Sequence, residues 1–159
     1  MQTPVSADRL HLVVRHVQAL TSNVREIRLA HPDGSPLPPW EAGAHLDVML
    51  PDGDKRSYSL VNTAGVPDGT RQPLEYRLGI RLETPGKGGS AYMHGLKMGD
   101  SVQASMPKNH FPLAPSESPP LLLAGGIGIT PIVSMAAELA ARRQSFQLVY
   151  AGRARDDMA

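Results

Sequence analysis

The sequence has 159 residues, with 16 Lys and Arg against 15 Asp and Glu, so its formal charge is +1. This balance gives no broad basic field and argues against nucleic acid or an anionic membrane as a partner. The longest apolar run, at residues 121–124, is far shorter than the roughly 20 residues of a membrane span. The absence of cysteine excludes disulfides, thiolate nucleophiles and a Cys-ligated iron–sulfur cluster within these residues.

Six short segments in the first two thirds of the chain have the composition of half-buried strands. The clearest runs from residue 74 to residue 82, where every even position is apolar. Turn sequences such as Pro67-Asp68-Gly69 separate the segments. The pattern predicts an antiparallel barrel or sandwich. Its predicted strands and one short helix lie at residues 10–17, 24–30, 45–50, 56–61, 74–82 and 101–106, and at residues 90–96.

The composition changes at residues 113–120, which are rich in Pro and Ser, like a linker. Next comes a βαβ pattern, with Thr130 as the helix N-cap and Pro131 as the first helical residue. A parallel sheet needs cover on both faces. We therefore expect the second domain to be truncated, with completion by a partner chain as the alternative. The βαβ elements and the two domains are predicted at residues 121–124, 125–129, 130–143 and 146–151, and at residues 1–114 and 115–159.

Three motifs have residue types that suit a phosphate-bearing ligand. Gly125-Gly126-Ile127-Gly128-Ile129-Thr130-Pro131 opens the second helix, where backbone N–H groups favour phosphate. Arg56-Ser57-Tyr58-Ser59 combines a forked donor with a flat ring. Gly86-Lys87-Gly88-Gly89-Ser90 precedes the short helix, with Ser90 available as its N-cap. The alternatives are tight strand-to-helix packing, a solvated edge-strand arginine and a plain helix cap.

In this order the motifs resemble those of the ferredoxin-reductase-like flavoproteins. They are more closely similar to the phthalate dioxygenase reductase and vanillate O-demethylase reductase branch, a resemblance that extends to Val61-Asn62 and to Lys108-Asn109-His110-Phe111-Pro112-Leu113. The resemblance implies a mainly β protein with an α/β part: a six-stranded antiparallel Greek-key flavin-binding barrel, then a truncated βαβ nucleotide-binding domain. Complete members carry a C-terminal plant-type ferredoxin module.

The resemblance also implies roles for individual residues. Tyr58 would stack on the isoalloxazine and Ser59 would lie near N5, where hydride arrives, so these two are the catalytic candidates. Arg56 would bind the flavin phosphate, and the backbone of residues 78–80 would meet the pyrimidine edge. The flavin-binding residues implied are Arg56, Ser57, Tyr58, Ser59, Leu78, Gly79, Ile80, Lys87, Gly88, Gly89, Ser90 and Thr130. The dinucleotide would be bound by Gly125, Gly126, Ile127, Gly128, Arg153 and Arg155.

The cofactor implied is FMN, since members of this branch use it and Lys87 would suit a terminal monophosphate; FAD is the alternative. The choice between NADH and NADPH stays open, because Arg153 and Arg155 could meet the 2′-phosphate of NADPH but could equally be solvated. The six histidines show no His-x-x-x-His spacing, so we do not expect a bound metal.

The implied activity is that of a reductase component. It would pass electrons from NADH or NADPH through FMN to a Rieske-type oxygenase or demethylase acting on an aromatic substrate, with a two-iron two-sulfur cluster only in the missing C-terminal part. We expect a cytoplasmic, partial and weakly active form. A non-catalytic β-barrel binding module is the alternative from another class.

Overall fold

A computed structural model describes residues 8–61 and 72–158, so Asn62 and the Pro67-Asp68-Gly69 turn lie outside the described residues. Six strands form one antiparallel sheet. Helix α1 (Gly89–Gly95) lies between the fifth and sixth strands in sequence. All six predicted strands are confirmed, with ends within two residues of those expected. The strands are β1 (Arg9–Ala19), β2 (Val24–Ala30), β3 (His45–Met49), β4 (Lys55–Ser59), β5 (Glu75–Arg81) and β6 (Ser101–Ser105).

The strand order in the sheet is β4-β3-β6-β1-β2-β5, a Greek-key arrangement. The two end strands approach each other where Leu60, just after β4, forms a bridge with Leu78 of β5. The Val61 N–H donates to the Arg77 carbonyl at 2.9 Å at the same place. This contact closes the sheet at one point and leaves the rest of the β4 and β5 edges open.

Alternation of side chains along the strands builds the barrel core. In β5 the side chains of Tyr76, Leu78 and Ile80 are fully buried, and the residues between them are not. The Tyr76 hydroxyl donates to the Pro38 carbonyl at 2.5 Å, so this buried phenol is satisfied. The core thus follows the period-two pattern read from the sequence.

After the barrel the chain forms the predicted βαβ unit. Strands β7 (Leu121–Gly125) and β8 (Gln147–Ala151) pair in parallel, and helix α2 (Ile129–Ala141) lies between them in sequence. A 3-10 turn at Gly126–Gly128 joins β7 to α2, and another at Arg155–Asp157 follows β8. A second hydrophobic cluster forms where α2 packs on β7, through Leu122, Ile132, Met135 and Leu139.

Helix α2 also packs directly on the barrel. The Ser134 hydroxyl is buried and donates to the Leu60 carbonyl at 2.5 Å. Ala42, from the segment before β3, belongs to the second hydrophobic cluster. Two clusters fit the predicted division into two domains, and the boundary at residue 114 stays a prediction.

Both predicted N-caps are wrong by position. Helix α2 begins at Ile129 with Gly128 as its N-cap, and the Thr130 hydroxyl donates to the Ile127 carbonyl at 3.1 Å. Helix α1 begins at Gly89 with Gly88 as its N-cap, at φ +89°, a conformation that glycine adopts without strain. In both cases a glycine without a side-chain cap hydrogen bond is the N-cap, two residues before the hydroxyl residue. Among the described residues, neither helix has the length and hydrophobicity that a bilayer span requires.

Candidate functional site

A cleft of about 900 Å³ opens between β4, β5, the start of α1 and the glycine turn before α2. It lies beside the single bridge that joins β4 to β5, where the barrel is open. All three motifs from the sequence contribute to its walls. Its lining residues are Arg56, Ser57, Tyr58, Ser59, Gly79, Arg81, Glu83, Pro85, Gly86, Lys87, Gly89, Ser90, Ile127, Gly128, Thr130 and Pro131.

Arg56 and Gly89 form one corner of this cleft. A Cβ on Gly89 would lie 2.6 Å from Cγ of Arg56, so only glycine lets the arginine side chain cross the start of α1. The guanidinium NH1 donates to Asp54 Oδ2 at 2.6 Å and to the Lys55 carbonyl at 2.7 Å. The hydrogen bond from Arg56 lowers the pKa of Asp54. The arginine is therefore held in place and keeps further donors for an anion.

The loop before α1 brings both charge signs to the same corner. Lys87 and Glu83 line the cleft. The Ser90 hydroxyl accepts a hydrogen bond from the Glu83 N–H at 3.0 Å, which ties the loop to the helix. Gly88 sits behind this wall as the N-cap and does not line the cleft.

Residues 56–59 of β4 all line the cleft, although alternate side chains leave the strand in opposite directions. Tyr58 faces the cleft and packs partly on the barrel core, and burial raises the pKa of its phenol. Ser59 also lines the cleft. Ser57 lines the cleft too, but its hydroxyl donates to Asp47 Oδ1 on β3 at 2.6 Å, so this hydroxyl is engaged within the barrel.

On β5, only the middle residue of the predicted trio lines the cleft. The side chains of Leu78 and Ile80 are fully buried in the core, and the Ile80 carbonyl accepts a hydrogen bond from His94 Nε2 at 2.8 Å. Gly79 lies between them, and a Cβ there would be 3.3 Å from Cγ2 of Thr130. The glycine thus allows α2 to approach the barrel beside the cleft.

A second, smaller groove of about 370 Å³ lies at the carboxyl ends of β7 and β8. Its lining includes Gly125, Gly126 and Arg153, three of the residues that the resemblance assigns to the dinucleotide. Ile127 and Gly128 line the larger cleft instead, and Arg155 lines neither.

Arg81, which the sequence motifs did not identify, lines both the cleft and the smaller groove. Its NH2 is 3.3 Å from Asp157 Oδ1. It occupies an odd position at the end of the alternating strand, and this outward placement is the signal that could have identified it. Glu83, Pro85 and Gly86 were also missed as lining residues, although Gly86 lies inside a glycine motif. Within the described residues, no group of three or more histidine or carboxylate side chains is placed to hold a metal ion.

No family model matches the chain. Comparison with individual proteins instead finds relatives that are named as reductases. A vanillate O-demethylase oxidoreductase from Pseudomonas sp. (strain HR199 / DSM 7063) is 41% identical over 148 residues, which are 92% of this chain and 45% of that protein. Phthalate dioxygenase reductase from Burkholderia cepacia is 37% identical over 155 residues, 96% of this chain and 46% of that protein. The solved structure of a phthalate dioxygenase reductase matches with a TM-score of 0.88 at 36% identity, covering 99% of this chain and 48% of that chain.

Over its described length the chain is therefore similar to ferredoxin-reductase-like flavoproteins of the phthalate dioxygenase reductase branch. It spans a little under half the length of these relatives. The flavohem-like FAD/NAD binding domain of nitric oxide dioxygenase from Vibrio cholerae O1 biovar El Tor also matches, with a TM-score of 0.81 at 26% identity, covering 96% of this chain and 66% of that chain. The ferredoxin-reductase-like fold, a Greek-key barrel followed by part of a nucleotide-binding domain, is therefore confirmed.

Proposed function

We propose that the chain binds FMN in the cleft between β4, β5 and α1 and receives hydride from a nicotinamide nucleotide bound beside it. The observation that carries this proposal is the meeting of three sequence-distant motifs on the walls of one cleft. The cleft has the volume of a cofactor site, and most of its lining side chains are polar or charged, as a phosphate-bearing ligand requires. Bound flavin would supply the two-electron chemistry, and the protein residues would orient it.

Each part of the flavin has suitable partners in this cleft. Arg56 and Lys87 would hold the phosphate by charge-assisted hydrogen bonds, with Gly89 keeping the space that Arg56 needs. Tyr58 would face the ring system and Ser59 would lie beside its reacting edge. Thr130 would approach from α2.

Three of the proposed flavin residues act without lining the cleft. Leu78 and Ile80 would set the backbone on either side of Gly79, and Gly88 would turn the chain into α1. Ser57 would act through Asp47 rather than by direct contact. These four assignments stand as proposals about the backbone that carries the ligand-facing groups.

The choice of FMN over FAD follows from charge and from ring count. At the phosphate corner two cations, Arg56 and Lys87, outnumber the single carboxylate Glu83, which suits a terminal monophosphate. Tyr58 is the one aromatic side chain that lines the cleft within the described residues, and the isoalloxazine would use it. An adenine ring would find no second stacking partner in this part of the chain.

The nicotinamide nucleotide would lie along the glycine turn. Gly125, Gly126, Ile127 and Gly128 span the distance from the smaller groove to the cleft, so a dinucleotide on this turn would reach the flavin. Arg153 would meet the nucleotide in the smaller groove, and Arg155 follows it in sequence. Arg81, which lines both sites, would interact with the diphosphate between them.

The wider role we propose is that of the reductase component of an oxygenase system. The matching proteins are named vanillate O-demethylase oxidoreductase and phthalate dioxygenase reductase, and the solved relative is described as a modular structure for electron transfer from pyridine nucleotides to a 2Fe-2S centre. By analogy, the electrons would pass through a ferredoxin-type cluster to a Rieske-type oxygenase acting on an aromatic compound. Because the chain covers 45% of the vanillate relative, we expect the chain alone to oxidise NADH more slowly than a full-length relative.

The test is a titration of the purified chain with FMN and, separately, with FAD, followed by quenching of flavin fluorescence. We expect FMN to bind more tightly than FAD and to give the chain a visible absorption band. Anaerobic addition of NADH or NADPH should then bleach that band and identify the donor. Failure of both flavins to bind would overturn the proposal and favour a non-catalytic binding module.

A further inference from the structure

Asp47 is a buried carboxylate on β3, directly beside the strand that carries the proposed flavin ligands. It is 4% exposed. Its Oδ1 accepts the Ser57 hydroxyl at 2.6 Å, and its Oδ2 accepts Lys108 Nζ at 2.7 Å and Lys55 Nζ at 3.4 Å. His45 Nε2 lies 3.7 Å from Oδ1. These contacts join β3, β4 and the segment after β6 at one carboxylate.

The position of Ser57 makes this junction relevant to the cleft. Ser57 lies between Arg56 and Tyr58, and it pairs directly with Asp47 across β3 and β4. Side chains alternate along a strand, so fixing Ser57 on one face fixes its two neighbours on the other. Strand β4 depends on this support because β3 is its only ladder partner among the described strands.

Charge gives Asp47 a second effect on the site. Hydrogen bonds from Lys108 and Ser57 hold the pKa of the Asp47 carboxyl well below its ordinary value, so the group is ionised at neutral pH. Its single negative charge offsets one of the two positive charges of Lys55 and Lys108, which both contact it. Removal of its charge would leave Lys55 and Lys108 without this carboxylate partner.

We propose that Asp47 is a positioning residue for the flavin strand. It holds Arg56 and Tyr58 at the cofactor through Ser57, and it offsets the positive charge of Lys55 and Lys108 behind them. This inference rests on the proposed function, since the two cleft-facing residues are the proposed flavin ligands.

Two single variants separate the two effects. Ser57→Ala removes the hydrogen bond and keeps every charge, so FMN affinity should fall roughly tenfold with an unchanged midpoint potential. Asp47→Asn removes the charge and keeps an oxygen that can accept the Ser57 hydroxyl, so the midpoint potential should rise, because uncompensated lysines favour the more negative, reduced flavin. Adding Lys108→Met to Asp47→Asn should bring the potential back toward that of the parent chain.

The matched control is Glu117→Gln, which removes one carboxylate charge at an exposed position in the segment between barrel and βαβ unit. It should leave both FMN affinity and potential unchanged. FMN affinity is measured by fluorescence quenching, and the potential by dye-coupled titration of the FMN-loaded chain. Circular dichroism checks that each variant is folded, and Ser57→Ala keeps the inference testable if Asp47→Asn does not fold.

Outcomes that defeat this inference differ from those that defeat the proposed function. If the parent chain binds FMN and both single variants match it in affinity and potential, Asp47 has no positioning role and the proposed function stands. If the parent chain binds neither FMN nor FAD, the proposed function fails and the positioning role fails with it. A fall in affinity for Ser57→Ala without any rise in potential for Asp47→Asn would overturn the electrostatic part alone.

Discussion

Arg56 is the side chain whose removal should weaken flavin binding most directly. It lines the cleft, crosses the start of α1 over Gly89, and is steadied by Asp54. Arg56→Ala should raise the dissociation constant for FMN by roughly tenfold or more, because a charge-assisted contact to phosphate is lost. The measurement is a fluorescence titration with FMN. Arg15→Ala, at an arginine that donates to the Pro32 carbonyl on the barrel, is the control and should bind FMN as the parent does.

His45 should make folding stability depend on pH near neutrality. Burial is the largest cause that lowers the pKa of this imidazole below its ordinary 6.5, and Asp47 only partly opposes it. The unfolded chain therefore binds the proton more readily, so the stabilising contribution is present above the unfolded pKa and is lost as the pH falls through the folded pKa. The free energy of unfolding should be lower at about pH 5.5 than at about pH 7.5.

Urea unfolding of three chains at the two pH values tests this dependence. His45→Gln should reduce the difference between the two pH values, and His11→Gln, at an exposed histidine, should keep it. A His45→Gln chain with the full pH difference would assign the titration to another group. The lowered pKa of Asp47 does not contribute, because its effect lies below the ordinary carboxyl value of 3.8.

At the scale of elements, sequence periodicity was enough to identify the strands and both helices. In β5, apolar and polar residues alternate over the whole strand, and this pattern correctly predicted which side chains face the core. It could do so because the barrel buries only one face of the strand. The helix starts were displaced by a residue or two, since Gly88 and Gly128 act as caps and hydroxyl residues follow them. Pairing was beyond the sequence: nothing local shows that Ser57 lies opposite Asp47, ten positions away.

Helix α1 offers two glycines that differ in what surrounds them. A Cβ on Gly89 would lie 2.6 Å from Cγ of Arg56, and a Cβ on Gly95 would meet nothing within 4 Å. Gly89→Ala should displace the arginine and weaken FMN binding by roughly the same factor as Arg56→Ala, about tenfold. Gly95→Ala should bind FMN like the parent chain, since it adds the same methyl group in open space. Equal FMN affinities for the two variants would show that the close approach at Gly89 is not needed.

At the scale of the whole molecule, the site depends on how the βαβ unit sits on the barrel. The Ser134–Leu60 hydrogen bond joins α2 to the residue after β4, and Gly43 lies against Met135. The glycine motifs could be found in the sequence because their spacing is local. That the motifs meet in one cleft could not be found from local sequence patterns, because the meeting depends on long-range packing. The resemblance to a family implied this packing, but periodicity did not.

This packing predicts that the two hydrophobic clusters unfold together. Leu139 is 4% exposed in the second cluster, so Leu139→Ala should cost about 2–5 kcal/mol. Trp40, the only tryptophan of the chain, reports on the first cluster. If α2 and the barrel form one cooperative unit, the urea midpoint seen by Trp40 fluorescence should fall together with that seen by far-UV circular dichroism.

The control for this prediction is Leu123→Ala on β7, where the same substitution falls on a side chain that is 62% exposed. It should shift either midpoint far less, because little apolar area is buried there. An unchanged Trp40 midpoint in Leu139→Ala, with an earlier separate step in circular dichroism, would show two independent units. The cleft would then lie between parts that fold separately. Flavin bound across Gly79 and Thr130 should in that case raise the fluorescence and circular-dichroism midpoints toward a common value.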